Sequence, residues 1–210
     1  SRCKQVDIFA ENLNFDVNGA ASFTLVADKQ QISIQLKVPG AHNVSNALAA
    51  AACCLAIDLP LVVIKNGLES FSGVAGRMAY QRGLNDSVVI DDSYNANLRS
   101  VLTAIDVLSV RDGLRILVMG DMGELGEHTT VHHQEVGKSA RDKGIDLVLT
   151  IGKHSRVTAE SFGSKGQHYK EESLLISDLL AHLSASTTVL VKGSRSAQME
   201  KIVEQIVDIN

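Results

Sequence analysis

Residues 6–36 alternate apolar and polar side chains in the segments VDIFA, ASFTLVA and QISIQL, with Asn18-Gly19 and Asp28-Lys29 between them. A period of two punctuated by turn residues predicts antiparallel β-hairpins. Pro39-Gly40 ends this section, and from Asn43 the period changes: Val44, Ala47, Leu48, Ala51 and Leu55 fall on one helical face. Cys54 lies beside that face and is expected in the core, with Cys53 nearer its edge. Pro60 suits the first turn of a second helix carrying Val63, Ile64, Leu68 and Phe71. The small, breaker-rich run Ser72-Gly73-Val74-Ala75-Gly76 marks a domain boundary.

After that boundary short apolar runs alternate with helical patterns. Strands are expected at 88–92, 115–120, 147–152, 167–169 and 188–192, each followed by a helix. The last helix carries Met199, Ile202, Val203, Ile206 and Val207, a stripe with the spacing of one helix face. Repeated βα units imply an α/β fold with a mainly parallel sheet and helices on both faces.

The totals narrow the function classes. Twenty basic against 24 acidic residues give a net charge of -4 with no block of like charge, so nothing marks a nucleic-acid or anionic-membrane surface. No apolar run reaches membrane-spanning length. Cys3, Cys53 and Cys54 are odd in number and two are adjacent, which suits a reducing cytoplasm better than a disulfide framework. The opening SRCKQVDIF has neither a signal-peptide apolar segment nor an initiator Met, and a cut through a longer chain is expected.

Three of the expected strands end in polar or glycine-rich segments: DDSYNAN at 91–97, GDMGELG at 120–126 and KGSRS at 192–196. Parallel strands present their carboxyl ends on one edge, so all three are expected to line one crevice. Asp91 and Asn97 are ligand candidates, or else they close a turn and cap a helix. In GDMGELG the glycines are spaced G-x-x-G-x-x-G, unlike the G-x-G-x-x-G of a dinucleotide fold, and Asp121 and Glu124 would repel a pyrophosphate. The two acids suit a cationic amine, or the N-terminus of the following helix. A nicotinamide oxidoreductase is a minor alternative. Lys192, Ser194 and Arg195 are expected to open a helix and to suit a carboxylate or phosphate, or to form a solvated turn capped by Ser194 or Ser196. His42 and Asn43 precede the alanine-rich helix as a loop residue and a cap, with Asn46 one turn on. His128, His132 and His133 lack an evident third metal ligand and are expected on a solvated face; no metal site is expected. Neither a G-x-x-x-x-G-K-[ST] phosphate loop nor a G-x-S-x-G elbow is present.

The segments GAHNVSN at 40–46, Gly76-Arg77-Met78, DDSYNAN, GDMGELG and KGSRS occur in an order that resembles the Mur ligases, closest to the branch that joins D-alanyl-D-alanine to UDP-N-acetylmuramoyl-tripeptide. The resemblance runs from Val38 to near the end of the chain, with Leu98 where that family usually has proline after NAN. It implies that residues 1–76 are the C-terminal part of a central ATP-binding domain without its phosphate loop. Residues 77–210 would be a Rossmann-like C-terminal ligase domain. The activity implied is ATP-dependent amide synthesis through an acyl phosphate in the cell-wall precursor pathway, with Mg2+ held mostly elsewhere and no complete catalytic set in this chain. Carried over by position, His42, Asn43 and Asn46 resemble the adenine-side contacts. Arg77 and Asp92 resemble a pair holding the ribose from opposite sides of the domain junction, whose two domains are expected to vary in orientation. Asn95 and Asn97 would face the triphosphate. Lys192, Ser194 and Arg195 would take the dipeptide carboxylate, and Asp121 and Glu124 its ammonium. Alternatives are a related ligase using a diamino acid or glutamate, and a non-catalytic nucleotide-binding or interaction module.

Overall fold

A computed structural model describes residues 8–17, 19–28 and 30–208. Cys3, the strand start at Val6 and Asp7, and the expected turn residues Asn18 and Lys29 lie outside them. The chain divides into two compact units, Ser1–Gly73 and Val74–Asn210.

In the first unit β1 (Ile8–Phe15), β2 (Ala20–Ala27) and β3 (Gln30–Pro39) form an antiparallel sheet in the order β1-β2-β3. α1 (Ala41–Ala56) and α2 (Leu61–Ser70) follow. Phe23, Leu25, Ile34 and Leu36 of the sheet pack with Val44, Ala47, Ala51, Leu61 and Ile64. Cys54 packs against this core and Cys53 is exposed. Two expectations need correction. Val63 is about half exposed, because a helix beginning at Leu61 turns Leu61, Ile64 and Leu68 inward and leaves position 63 off that face. Phe71 lies past the last turn of α2 and is also about half exposed.

The second unit carries a six-stranded sheet in the order β4-β5-β9-β6-β7-β8. β5 (Val88–Asp92), β6 (Leu114–Met119), β7 (Leu147–Ile151), β8 (Gly166–Tyr169) and β9 (Thr187–Lys192) are parallel, and β4 (Ala79–Arg82), not expected from the sequence, pairs antiparallel with β5 on the edge. Strand side chains alternate between two cores. Ile90, Leu117, Met119 and Leu190 face α3 (Leu98–Ser109), α4 (Thr129–Asp142) and α5 (Arg156–Phe162), which contribute Val101, Ile105, Leu108, Val136, Ala140 and Phe162. Val89, Ile116, Val118, Val189 and Val191 face α6 (Glu172–Ala181) and α7 (Glu200–Ile206), which contribute Leu175, Leu179, Ile202, Val203 and Ile206. Each such aliphatic chain contributes about 1.5–3 kcal/mol by leaving water.

The chain leaves β5 and β6 toward one face and β9, which lies between them, toward the other. Divergence of this kind opens a crevice at the carboxyl ends of the strands, the usual place for a ligand in such a sheet. Among the described residues no helix is long and apolar enough to cross a membrane.

Candidate functional site

Strand register brings the three polar segments together. Asp92 pairs with Lys192, and Lys192 with Met119, so the ends of β5, β9 and β6 lie side by side. The backbone continues the match beyond the strands: Gly120 N–H donates to the Lys192 carbonyl at 2.8 Å and Ser194 N–H to the Asp121 carbonyl at 2.8 Å. Glycine is required at this seam. A Cβ on Gly120 would meet Met199 Sδ at 2.6 Å, and one on Gly193 would meet Met199 Cγ at 2.5 Å. The Met199 and Ala197 side chains packed against the seam thus account for these glycines.

Lys192 is 2% exposed. Its Nζ donates to Asp92 Oδ2 at 2.5 Å and to the Asn95 carbonyl at 2.9 Å, so the expectation of a solvated turn at this position is corrected. Asp92 Oδ1 accepts the Met78 N–H at 3.1 Å. Burial pushes the Asp92 carboxyl above the usual carboxylate range, while Lys192 and the Met78 amide act in the other direction. Asp91, also buried, accepts from Gly76 N–H, Ser93 N–H and Ser93 Oγ. The two acids therefore fasten residues 76–78 to the start of the DDSYNAN loop. Arg77 projects from that segment, exposed, with its guanidinium 4.4 Å from the centroid of the Tyr94 ring. Arg77 and Asp92 belong to one compact unit, which corrects the expectation that they lie on opposite sides of the junction.

Asn97 is the N-cap of α3: its Oδ1 accepts the Ser100 N–H at 2.9 Å, and Ser100 Oγ accepts the Asn97 N–H at 3.1 Å. This reciprocal pair stabilises the helix start by about 1 kcal/mol and does at Leu98 what a proline would otherwise do by stiffening the chain. Asn95 is exposed, its carbonyl on Lys192 and its Oδ1 on the Ala96 N–H.

The GDMGELG loop is braced from three directions. Asp121 Oδ1 accepts the N–H groups of His154 and Ser155 at 2.9 and 2.7 Å, and Oδ2 accepts that of Lys153 at 2.9 Å. Burial would raise this carboxyl, but the three amides outweigh it and hold it below the usual range. The expectation that Asp121 serves the helix after its own loop is thereby corrected: it binds the turn before α5. Glu124 is exposed in left-handed backbone. His133, expected on a solvated face, is fully buried and accepts the Met122 N–H. It falls inward because His133, Val136, Gly137 and Ala140 form the buried stripe of α4. That i, i+3, i+4, i+7 spacing was available in the sequence.

The KGSRS segment does not open a helix. Arg195–Ala197 forms a single 3-10 turn and α7 starts only at Glu200, so no helix dipole reaches Lys192. Ser194, buried, precedes that turn without a side-chain cap bond, and its Oγ lies 3.0 Å from Ser196 Oγ. Arg195 is exposed and pairs with Glu200 at 2.9 Å.

In the first unit α1 begins at Ala41 with Gly40 as its N-cap, so Asn43 sits inside the first turn and is not the cap. Its Nδ2 donates to the Pro39 carbonyl at 2.7 Å, and its Oδ1 accepts from Asn46 Nδ2 at 3.2 Å. His42 is half-buried beside Gly40, where a Cβ would meet the ring at 2.6 Å.

The sequence matches the family described as "Mur ligase, glutamate ligase domain" over residues 76–195 and the Mur ligase middle domain over residues 1–54. It is 39% identical over 202 residues to the UDP-N-acetylmuramoyl-tripeptide--D-alanyl-D-alanine ligase of Escherichia coli strain K12, covering 95% of this chain and 44% of that protein. The corresponding ligase of Haemophilus influenzae is 36% identical over 208 residues, 96% of this chain and 45% of the relative. A crystal structure of MurF from Acinetobacter baumannii superposes with a TM-score of 0.84 at 31% identity, covering 94% of this chain and 44% of that one. The chain thus spans somewhat under half the length of the relatives it matches. On these matches, and on the parallel sheet and loop motifs described above, the chain belongs to the Mur ligase family.

Proposed function

We propose that this chain is the C-terminal part of an ATP-dependent ligase that joins D-alanyl-D-alanine to UDP-N-acetylmuramoyl-tripeptide. The observation that carries the reading is the convergence of the DDSYNAN, GDMGELG and KGSRS loops on one rim of the parallel sheet, in a chain 39% identical to an enzyme with that name. Residues 1–76 are read as the end of the ATP-binding domain and 77–210 as the ligase domain, and the location as cytoplasmic.

A carboxylate is a poor electrophile until one of its oxygens becomes a good leaving group. In the proposed reaction the tripeptide carboxylate takes the γ-phosphoryl group of ATP and ADP departs. The dipeptide amine then attacks the acyl carbon, a C–N bond forms, the C–O bond to phosphate breaks, and the amine proton is lost. Positive groups are needed where negative charge builds up. Arg77, Asp92, Asn95 and Asn97 are assigned to the nucleotide. Arg195 and Ser194 are assigned to the dipeptide carboxylate, with Lys192 behind them as the buried partner of Asp92. Glu124, exposed, is the better candidate for the ammonium, because the oxygens of Asp121 already hold three amides. The resemblance also implies Mg2+. Among the described residues no group of three or more His, Cys, Asp or Glu could hold a metal ion, and no step here is drawn through one.

Phosphate release by the intact ligase tests the proposal. With ATP and UDP-N-acetylmuramoyl-tripeptide, D-alanyl-D-alanine is expected to drive turnover, while glutamate and a diamino acid leave the background rate; this chain alone is expected to show negligible turnover. Turnover with one of the other amines and none with the dipeptide would overturn the substrate assignment.

A further inference from the structure

The peptide unit joining Asp121 to Met122 is hydrogen-bonded at both ends. Its carbonyl accepts the Ser194 N–H at 2.8 Å, and its N–H donates to His133 Nε2 at 3.2 Å. On the other side of the ring, Nδ1 lies 2.8 Å from the Thr129 carbonyl one turn back along α4. A backbone N–H can only donate and a backbone carbonyl can only accept. The two contacts therefore allow one state of the ring, neutral with its proton on Nδ1. The outcome is a continuous chain of donors and acceptors from Ser194 through the Asp121–Met122 peptide and His133 to Thr129. Such chains strengthen through mutual polarisation, so losing one link weakens its neighbours.

We infer that His133 is a positioning residue for the acceptor side of the rim: in its neutral Nδ1–H form it fixes the Asp121–Met122 peptide and, through that peptide, the backbone of Ser194. A second proton, on Nε2, sets two donors against each other and releases both loops. The proposed function enters only in naming the acceptor; the coupling of His133 to Ser194 stands on geometry alone.

The surroundings favour the neutral ring. His133 is 0% exposed, and burial lowers its pKa below the ordinary imidazole value. From the segment after β7, the His154 ring faces it with centroids 6.2 Å apart, and His154 and His132 disfavour a further positive charge. The Asp121 carboxylate and the Thr129 carbonyl act in the opposite direction. From α5, Thr158 Oγ1 donates to the His133 backbone carbonyl at 3.0 Å and holds the turn that carries the ring.

The test uses the intact ligase and two variants. His133→Gln keeps an acceptor within reach of Met122 and does not titrate; His133→Phe fills the space without one. Three quantities are read between pH 5.5 and 8: the KM values for D-alanyl-D-alanine and for ATP, and the hydrogen-exchange rate of the segment 192–196. Losing one buried hydrogen bond at the rim is expected to raise the dipeptide KM about 5- to 100-fold in His133→Phe. Exchange at 192–196 should quicken, with the ATP KM changed less than about twofold. His133→Gln should resemble wild type at pH 7 and lack the rise in dipeptide KM that wild type shows in acid, below the ordinary imidazole range. Equal rises in both KM values, or a lower melting temperature with unchanged exchange at 192–196, would overturn the inference. If the intact protein uses a different amine, the proposed acceptor fails, and the exchange rates still decide the role of His133.

Discussion

Lys192 Nζ and Asp92 Oδ2, separated by 100 positions in sequence, meet at 2.5 Å with side chains 2% and 12% exposed. The parallel register of β5 and β9 places them opposite one another. Their pairing joins the end of the first parallel strand to the end of the last. It also commits the lysine, because the Asn95 carbonyl takes a second of its N–H groups. The crevice floor is therefore a neutralised pair, and Arg77 and Arg195 are exposed cations of this rim.

Removing the ammonium from this pair is expected to be costly. A buried ion left without its partner destabilises a fold by about 3–5 kcal/mol, so Lys192→Met should lose that much at pH 7 in urea denaturation. The loss should shrink in acid. Asp92 already has a folded-state pKa above its ordinary value of 3.8, so the folded chain holds that proton more tightly and stability declines as pH rises from there through the folded pKa. Without Lys192 the decline steepens. A variant equally unstable at pH 4 and pH 7 would contradict the account.

Asp121 is expected to behave as a brace of the GDMGELG loop. Asp121→Asn replaces one accepting oxygen by an amide that cannot accept, leaving at least one of the N–H groups of Lys153, His154 and Ser155 without its partner, at about 1–3 kcal/mol. The sign with pH is opposite to that for Asp92. The folded Asp121 carboxyl lies below its ordinary value of 3.8, so its contribution is complete above that value and is lost as pH falls through the folded pKa. Thermal melts of wild type and variant should converge in acid. Divergence there would count against the brace. Gly152, at φ 127°, serves the same contact, since a Cβ would sit 2.4 Å from Asp121 Oδ1.

Gly137 offers a test of the packing that buries His133. In an exposed helix Gly→Ala gains about 0.5–1 kcal/mol. Here the added Cβ would lie 2.3 Å from the Thr158 carbonyl of α5, so α4 and α5 would have to separate. Gly137→Ala is expected to lower stability by about 1–3 kcal/mol or more in urea denaturation. A stabilised variant would show that the helices do not approach this closely.

The βα alternation was legible because each strand is a short apolar run and each helix has a stripe. β4 was not: Ala79–Arg82 is short and mixed in polarity, and it is a strand only because β5 offers an edge. The three polar loops could be picked out by composition, and the rule that parallel strands end on one side brought them together. Partners within the rim were beyond reach, because the Lys192–Asp92 pair depends on β9 inserting between β5 and β6, a matter of strand order that no local pattern encodes. Asp121 shows the same limit, its amide partners lying more than 30 positions away. His133 is a different case. Its stripe is readable, but a histidine beside other histidines reads as polar surface, whereas the fold makes it the polar member of a core face.

Hydrogen exchange of the intact ligase, followed by mass spectrometry with and without ATP and D-alanyl-D-alanine, tests the central claim most directly. ATP is expected to slow exchange in residues 91–97, and the dipeptide in residues 120–126 and 192–196. Protection by both ligands confined to other segments, with these three unchanged, would contradict the assignment of the sheet's carboxyl-end rim as the site.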